Sequence, residues 1–159
     1  MIDIESTGID NLLDNLSNEE VKNNILYKAV YRGAKVLQGN AKTFFKNAVG
    51  EAANHTSKYI KAPFYDGITV KGEKTYIEAR VSIMKDFRMK FFEKGTNDRY
   101  IKQKGHSDNK RKRKVNFTGK PNYRGRMTAT HFFKDAREAS ENTVNNAIIE
   151  SISRALERL

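Results

Sequence analysis

Apolar residues recur every three or four positions through the first third of this chain. Val21, Ile25, Ala29, Gly33, Leu37, Ala41, Phe44 and Ala48 make one stripe, the spacing of a helix with a single buried face. The spacing predicts a helix over 18–48, about 45 Å long at 1.5 Å per residue. Its start is marked by Ser17-Asn18-Glu19-Glu20. Ser17 as N-cap and Glu20 reaching back make a capping box, and Leu16 and Val21 match a hydrophobic staple. Gly33 lies on the stripe, where a close crossing by another element and a merely tolerated glycine explain it equally well. Ahead of the helix, Ile2 and Ile4 alternate with Asp3 and Glu5, the pattern of a short strand. Gly8 ends it, and Ile9, Leu12, Leu13 and Leu16 then fall at helical spacing.

After the long helix the pattern changes. The stretch 47–63 is polar and reads as a loop. Ile68-Thr69-Val70 and the run from Tyr76 to Ile83 read as two strands, with Lys71-Gly72-Glu73-Lys74 as the turn between them. In the second strand Ile77, Ala79, Val81 and Ile83 share one face, and Glu78, Arg80 and Ser82 share the other. Phe87 and Phe91 predict a short helix over 86–94, ended by Gly95. A last helix is marked by Phe132 or Phe133, Ala136, Ala139, Val144, Ile148, Ile152, Ala155 and Leu159. Its irregular interval at 140–143 predicts a kink or a break into two helices. Together these elements predict one α+β domain over 1–159: long N-terminal and C-terminal helices packed on a small antiparallel sheet.

Charge adds one feature that periodicity does not show. Between residues 99 and 126 lie eleven Lys and Arg against one acid, Asp108, a net of +10 in a chain whose total is +11. The basicity therefore belongs to one segment, which is predicted to be a mobile loop and to seek phosphate or another polyanion. Its densest run is Lys110-Arg111-Lys112-Arg113-Lys114. Such runs are also common as plain solvated loops, or as import signals in eukaryotic proteins. Tyr100, Phe117 and Tyr123 sit among the cations, where rings can stack on bases. No zinc-finger spacing, RNP pattern or helix-turn-helix accompanies them, so contact with DNA would be made to the backbone without sequence preference.

Other chemistry finds little support. There is no cysteine, which excludes disulfides, thiolate metal sites and cysteine nucleophiles. His55, His106 and His131 are isolated, with no second ligand at a metal-binding spacing. No GxSxG, P-loop or Rossmann glycine pattern is present, and the capping box accounts for Glu20. No metal, cofactor or catalytic role is expected. No run of about 18 apolar residues occurs, and the acidic N-terminus is unlike a signal peptide. The expectation is therefore a protein made in the cytoplasm, without membrane contact.

The order of short motifs resembles the head–tail joining, or tail-completion, proteins of long-tailed bacteriophages and prophages. Ile2-Asp3-Ile4 and Gly8-Ile9-Asp10-Asn11-Leu12-Leu13 precede the long helix with its Ala34-Lys35-Val36. Phe92-Glu93-Lys94-Gly95-Thr96 is similar to the family's aromatic-Glu-aromatic-Gly-Thr signature. Arg99-Tyr100, Gly125-Arg126-Met127, and Phe132-Phe133 with Ala136 follow in order. The chain differs from the family in having Lys94 for an aromatic residue and in lacking a proline before the paired phenylalanines. A Pro-x-Asp-Thr-Gly segment after the long helix is also missing.

The resemblance implies a non-catalytic ring subunit of the virion neck. It would join the connector or stopper on the portal side to the tail terminator or tail tube, after assembly in the host cytoplasm. Such a joint surrounds the DNA channel, which makes Lys110, Arg111, Lys112, Arg113, Lys114, Lys120, Arg124 and Arg126 the DNA-facing candidates. Glu93, Gly95, Thr96, Arg99, Gly125, Arg126, Phe132 and Phe133 carry the family motif, either at an interface or as supports of the fold. The rival reading is a free-standing, non-specific nucleic-acid-binding protein of phage or prophage origin, with a small nuclease a distant third.

Overall fold

The computed structural model describes residues 18–101, 122–123 and 125–158. The strand expected at 2–5, the helical turn at 9–16, Ser17 and Leu159 lie outside the described residues. The first described element, helix α1 (Glu19–Val49), is capped by Asn18 rather than by Ser17. Asn18 Oδ1 accepts from the amides of Glu20 and Val21 at 3.0 and 3.3 Å. The cap sits one residue later than expected because Asn18 is extended and places its short side chain over the orphan first-turn amides.

Helix α1 buries Ile25, Ala29, Gly33, Ala34, Ala41 and Phe45. The stripe thus ends on Phe45, whereas Phe44 is half-buried and Ala48 exposed. From Ala41 the same face recurs four residues on, so Phe45 points inward and Phe44 flanks it. A 3₁₀ turn, Gly50–Asn54, follows. Then comes a minimal ladder of β1 (Thr56–Ser57) with β2 (Ala62–Pro63), and a second 3₁₀ turn, Phe64–Gly67. The polar stretch expected as plain loop therefore carries short structure of its own.

Strands β3 (Thr69–Glu73) and β4 (Glu78–Ser82) pair antiparallel, with Val70 opposite Val81. Their turn lies at Lys74–Ile77, closed by the Ile77 amide on Lys74 O and carried by Ile77 at φ 49°. Gly72 is thus a strand residue, correcting the turn expected over 71–74. A Cβ at Gly72 would collide with Tyr27 and Tyr31 of α1, so the glycine lets the hairpin lie against the helix. Val81 and Ile83 pack on the main core, as alternation required, while Arg80 stays exposed.

Helix α2 (Met89–Lys94) is shorter than the expected 86–94. Asp86 Oδ1 accepts from the Arg88 amide at 3.0 Å, making a side-chain-closed turn ahead of the helix. Two further strands, β5 (Tyr100–Ile101) and β6 (Asn122–Tyr123), pair antiparallel. Helix α3 (Phe132–Leu156) is unbroken, against the expected interruption at 140–143. Ser140, not Ala139, continues its buried face, giving Phe132, Ala136, Ser140, Val144, Ile148 and Ile152. Asn40 Nδ2 of α1 donates to Ser140 Oγ at 2.8 Å, which allows a hydroxyl on the seam.

Helices α1 and α3 run antiparallel. Arg32 meets Glu150, Gly33 meets Ile148 and Val144, Asn40 meets Ser140, and Phe45 meets Phe132. At Gly33 a Cβ would lie 2.6 Å from Ile148 Cγ1, so this glycine is a close crossing and not a tolerated one. The seam holds two clusters. One joins Ile25 and Ala29 to Val144, Ile148 and Ile152; the other joins Ala41, Phe45, Ala53 and Ile68 to Met89, Phe132 and Ala136. Burying each such isoleucine or phenylalanine contributes roughly 1.5–3 kcal/mol. The result is α+β: long N- and C-terminal helices packed with small antiparallel sheets.

Candidate functional site

The two halves of the family-like motif, about thirty residues apart in sequence, meet at the N-terminus of α3. Helix α3 begins at Phe132 after His131, which is left-handed (φ 51°) and makes no side-chain cap. The missing cap comes from Glu93 on α2. Its Oε2 accepts from the Phe133 amide at 2.8 Å and its Oε1 from the Lys134 amide at 3.2 Å. A carboxylate at this end also complements the positive pole of the helix. Backbone bonds reinforce the joint. Thr130 N and Oγ1 donate to Phe92 O at 2.9 and 2.8 Å, and His131 N donates to Glu93 O at 3.1 Å.

Gly95 ends α2 at φ 73°, and a Cβ there would lie 2.7 Å from Met127 O and 2.9 Å from Ala129 N. Only glycine satisfies both the left-handed backbone and this approach. Thr96 then closes a reciprocal pair with Met127. Its amide donates to Met127 O at 2.9 Å, and its Oγ1 accepts from Met127 N at 3.0 Å. Phe132 is buried against Phe45, and Phe133 is half-buried beside it. Glu93, Gly95, Thr96, Phe132 and Phe133 therefore form one clasp between α2 and α3, and their contacts are internal to the fold.

The clasp leads into the base of the basic segment. Arg99 N and Nε both donate to Gly125 O, at 3.2 and 3.4 Å, and Gly125 takes φ 80°. Next along the two arms, Tyr100 pairs with Tyr123 and Ile101 with Asn122. The segment expected as loop over 99–126 thus begins and ends in a short antiparallel stem. Arg126 is exposed and lines an open groove with Phe91, Lys94, Thr96 and Met127. Lys110, Arg111, Lys112, Arg113, Lys114, Lys120 and Arg124 lie outside the described residues, as does the expected mobility of their segment.

A second polar cluster gave no sequence signal, because its members are 29 residues apart. Ser57 and Asp86 are both buried, and Ser57 Oγ donates to Asp86 Oδ2. Arg88 grips the same carboxylate, Nη2 to Oδ2 at 2.7 Å and Nε to Oδ1 at 3.0 Å. The guanidinium is itself sandwiched between the rings of Tyr59 and Phe64, at 4.6 and 4.5 Å. The Arg88 hydrogen bonds hold the Asp86 carboxyl down at about 2, helped by Ser57 and the Arg88 amide and opposed by burial. The cluster is a paired ion with its hydrogen bonds made, which ties the β1–β2 ladder to the start of α2.

Among the described residues no three His, Asp or Glu side chains are grouped to hold a metal ion. No described helix is long and apolar enough to cross a membrane. Compared with known proteins, the chain matches no protein-family model, no curated protein and no solved structure.

Proposed function

We propose that this chain is a non-catalytic structural subunit of a phage or prophage neck, assembled as a ring between the capsid connector and the tail. The observation that carries the reading is the meeting of the two motif halves. Glu93, Gly95 and Thr96 lock directly onto the stretch from Met127 to Lys134, and Arg99 holds Gly125 beside it. Short motifs that are weak one by one are thereby parts of one joint, as expected of a shared fold device. That joint holds a segment of net +10 at its base. In a ring around a DNA channel, a concentrated positive segment matches the phosphate backbone passing through. Its partners would be connector or stopper, tail terminator or tail tube, and copies of itself, with DNA touched non-specifically.

A test is epitope labelling of the chain in the strain that encodes it, with electron microscopy of the particles released. Label at the head–tail junction is expected, and deletion should leave filled heads and tails unjoined. Particles that lack the chain and remain infectious would sink the proposal. The second reading, a non-specific nucleic-acid-binding protein, is favoured by the same +10 segment and by exposed Arg126 beside Lys94 at its base.

A further inference from the structure

Three aromatic rings, two exposed and one half-buried, touch in succession on and beside α2. Tyr59, in the turn between β1 and β2, lies 5.1 Å from Phe87 between ring centroids, and Phe87 lies 6.1 Å from Phe91. Tyr59 and Phe87 are 52% and 44% exposed. Phe91 is half-buried, so the three form a small contiguous apolar patch, the kind of feature that can serve as a contact surface. Two cations lie against them: Lys58 Nζ is 5.2 Å from the Tyr59 ring and Lys90 Nζ 5.3 Å from the Phe91 ring. Lys61 closes the same turn as Tyr59. None of these three lysines forms a salt bridge among the described residues. Asp86, the carboxylate next to Phe87, is buried on Arg88 and Ser57. The face therefore offers apolar groups and positive charge that no described carboxylate pairs.

Its occupant should bring carboxylates and branched aliphatic side chains together. The rings meet at 71° and 84°, edge to face and not coplanar, so they do not join into one continuous flat platform for stacked bases. Residues 1–17 of the chain have the complementary chemistry. They contain Asp3, Glu5, Asp10 and Asp14, no Lys or Arg, and Ile2, Ile4, Ile9, Leu12, Leu13 and Leu16.

Reach favours a second copy over the same one. The segment joins α1 at Asn18, whereas the aromatic face adjoins α2, whose Met89 packs with Ala41 and Phe45 near the far end of α1. That is about 35 Å along the helix. Covering it fully extended, at about 3.3 Å per residue, uses roughly eleven of the seventeen residues. Within one copy only about residues 1–6 would then reach the face, leaving Ile9, Asp10, Leu12, Leu13, Asp14 and Leu16 short of it. No such constraint applies between copies.

We propose that residues 1–17 of one copy dock on the Tyr59–Phe87–Phe91 face of the next. The contact is head-to-tail, the kind that closes into a ring. The ring itself rests on the neck reading, but the docking stands on complementarity alone. Sedimentation velocity tests it with the full chain and two variants. One carries Lys58→Glu, Lys61→Glu and Lys90→Glu; the other carries Asp3→Lys, Glu5→Lys, Asp10→Lys and Asp14→Lys. The unaltered chain should self-associate at low salt and dissociate as salt rises. Each variant alone should be monomeric with unchanged helical circular dichroism, and an equal mixture should associate again, because each altered surface meets its complement.

A mixture that stays monomeric overturns the docking, as does an unaltered chain that is monomeric throughout. So does a lysine variant that self-associates normally but loses binding to a single-stranded oligonucleotide. Should a reversal variant unfold, the milder Lys→Gln triple must still abolish association for the proposal to stand. Particle labelling addresses the neck reading separately, so either can fail without the other.

Discussion

Asp86 is fully buried, and its charge is tolerable only because Arg88 and Ser57 bind both oxygens. Its carboxyl lies at about 2 in the folded protein against 3.8 ordinarily. The folded state thus binds this proton less readily than the unfolded chain. The resulting stability, about 2 kcal/mol, is present above pH ~4 and is lost as pH falls toward ~2. Asp86→Asn should cost about 3 kcal/mol near neutral pH by leaving Arg88 without its carboxylate. In urea titrations at several pH values the gap between variant and parent should narrow below pH ~4. A gap that is constant with pH would show that the carboxylate's charge is not what holds the cluster. Glu93 is a second residue whose role is set by distance in sequence. Glu93→Ala should cost about 1–2 kcal/mol by uncapping α3, and amide exchange at Phe133 and Lys134 should accelerate. Unchanged exchange there would refute the capping role.

At the scale of elements, the α1–α3 seam decides where the chain's irregular positions go. The interval at 140–143 looks like a break in the apolar pattern, yet α3 is continuous, with Ser140 on its buried face and its hydroxyl satisfied by Asn40. Ser140→Ala should cost about 1–2 kcal/mol, since it leaves a part-buried amide without its acceptor. The double change Asn40→Leu with Ser140→Ala removes both polar groups and should recover most of that loss. Urea unfolding of the three variants measures the coupling, and additive losses would show that the bond does not link the helices. Likewise Gly33 and Gly72 read alike as helix and turn glycines, but each is a place where α1 meets a neighbour closely. Sequence spacing names the face, not the partner's distance.

For the whole molecule, the segregation of charge is the dominant property. Outside 99–126 the chain sums to +1, so the folded body is nearly neutral and one segment carries the field. A neck subunit needs only weak, sequence-independent contact with duplex DNA. Four to six phosphates within reach of that segment give a log–log salt slope of about −4 to −5. Replacing Lys110, Arg111, Lys112, Arg113 and Lys114 with Ser should flatten the slope to about −1 or less and leave thermal unfolding unchanged. Fluorescence anisotropy with two unrelated duplexes reads both. Binding that persists at about 0.2 M salt, or that prefers one duplex, would favour the dedicated nucleic-acid-binding reading over the neck.

By itself the sequence determined that α1, α3 and the β3–β4 hairpin exist, though not the continuity of α3 or the place of the hairpin turn, and it located the basic segment. Each is a local pattern: 3.6-residue periodicity, alternation, or a run of like charge. The tertiary structure alone decided that Glu93 caps a helix forty residues away, that Gly95 yields to the backbone at Met127, and that Ser57 and Arg88 meet on the buried Asp86 carboxylate. It also decided that Tyr59, Phe87 and Phe91 line up. Phe87 and Phe91 are four apart, but Tyr59 comes from the β1–β2 turn, far away in sequence, so no window of the chain shows the three together. Such contacts follow from how elements pack, and packing depends on shapes and distances between residues that no single window of sequence contains.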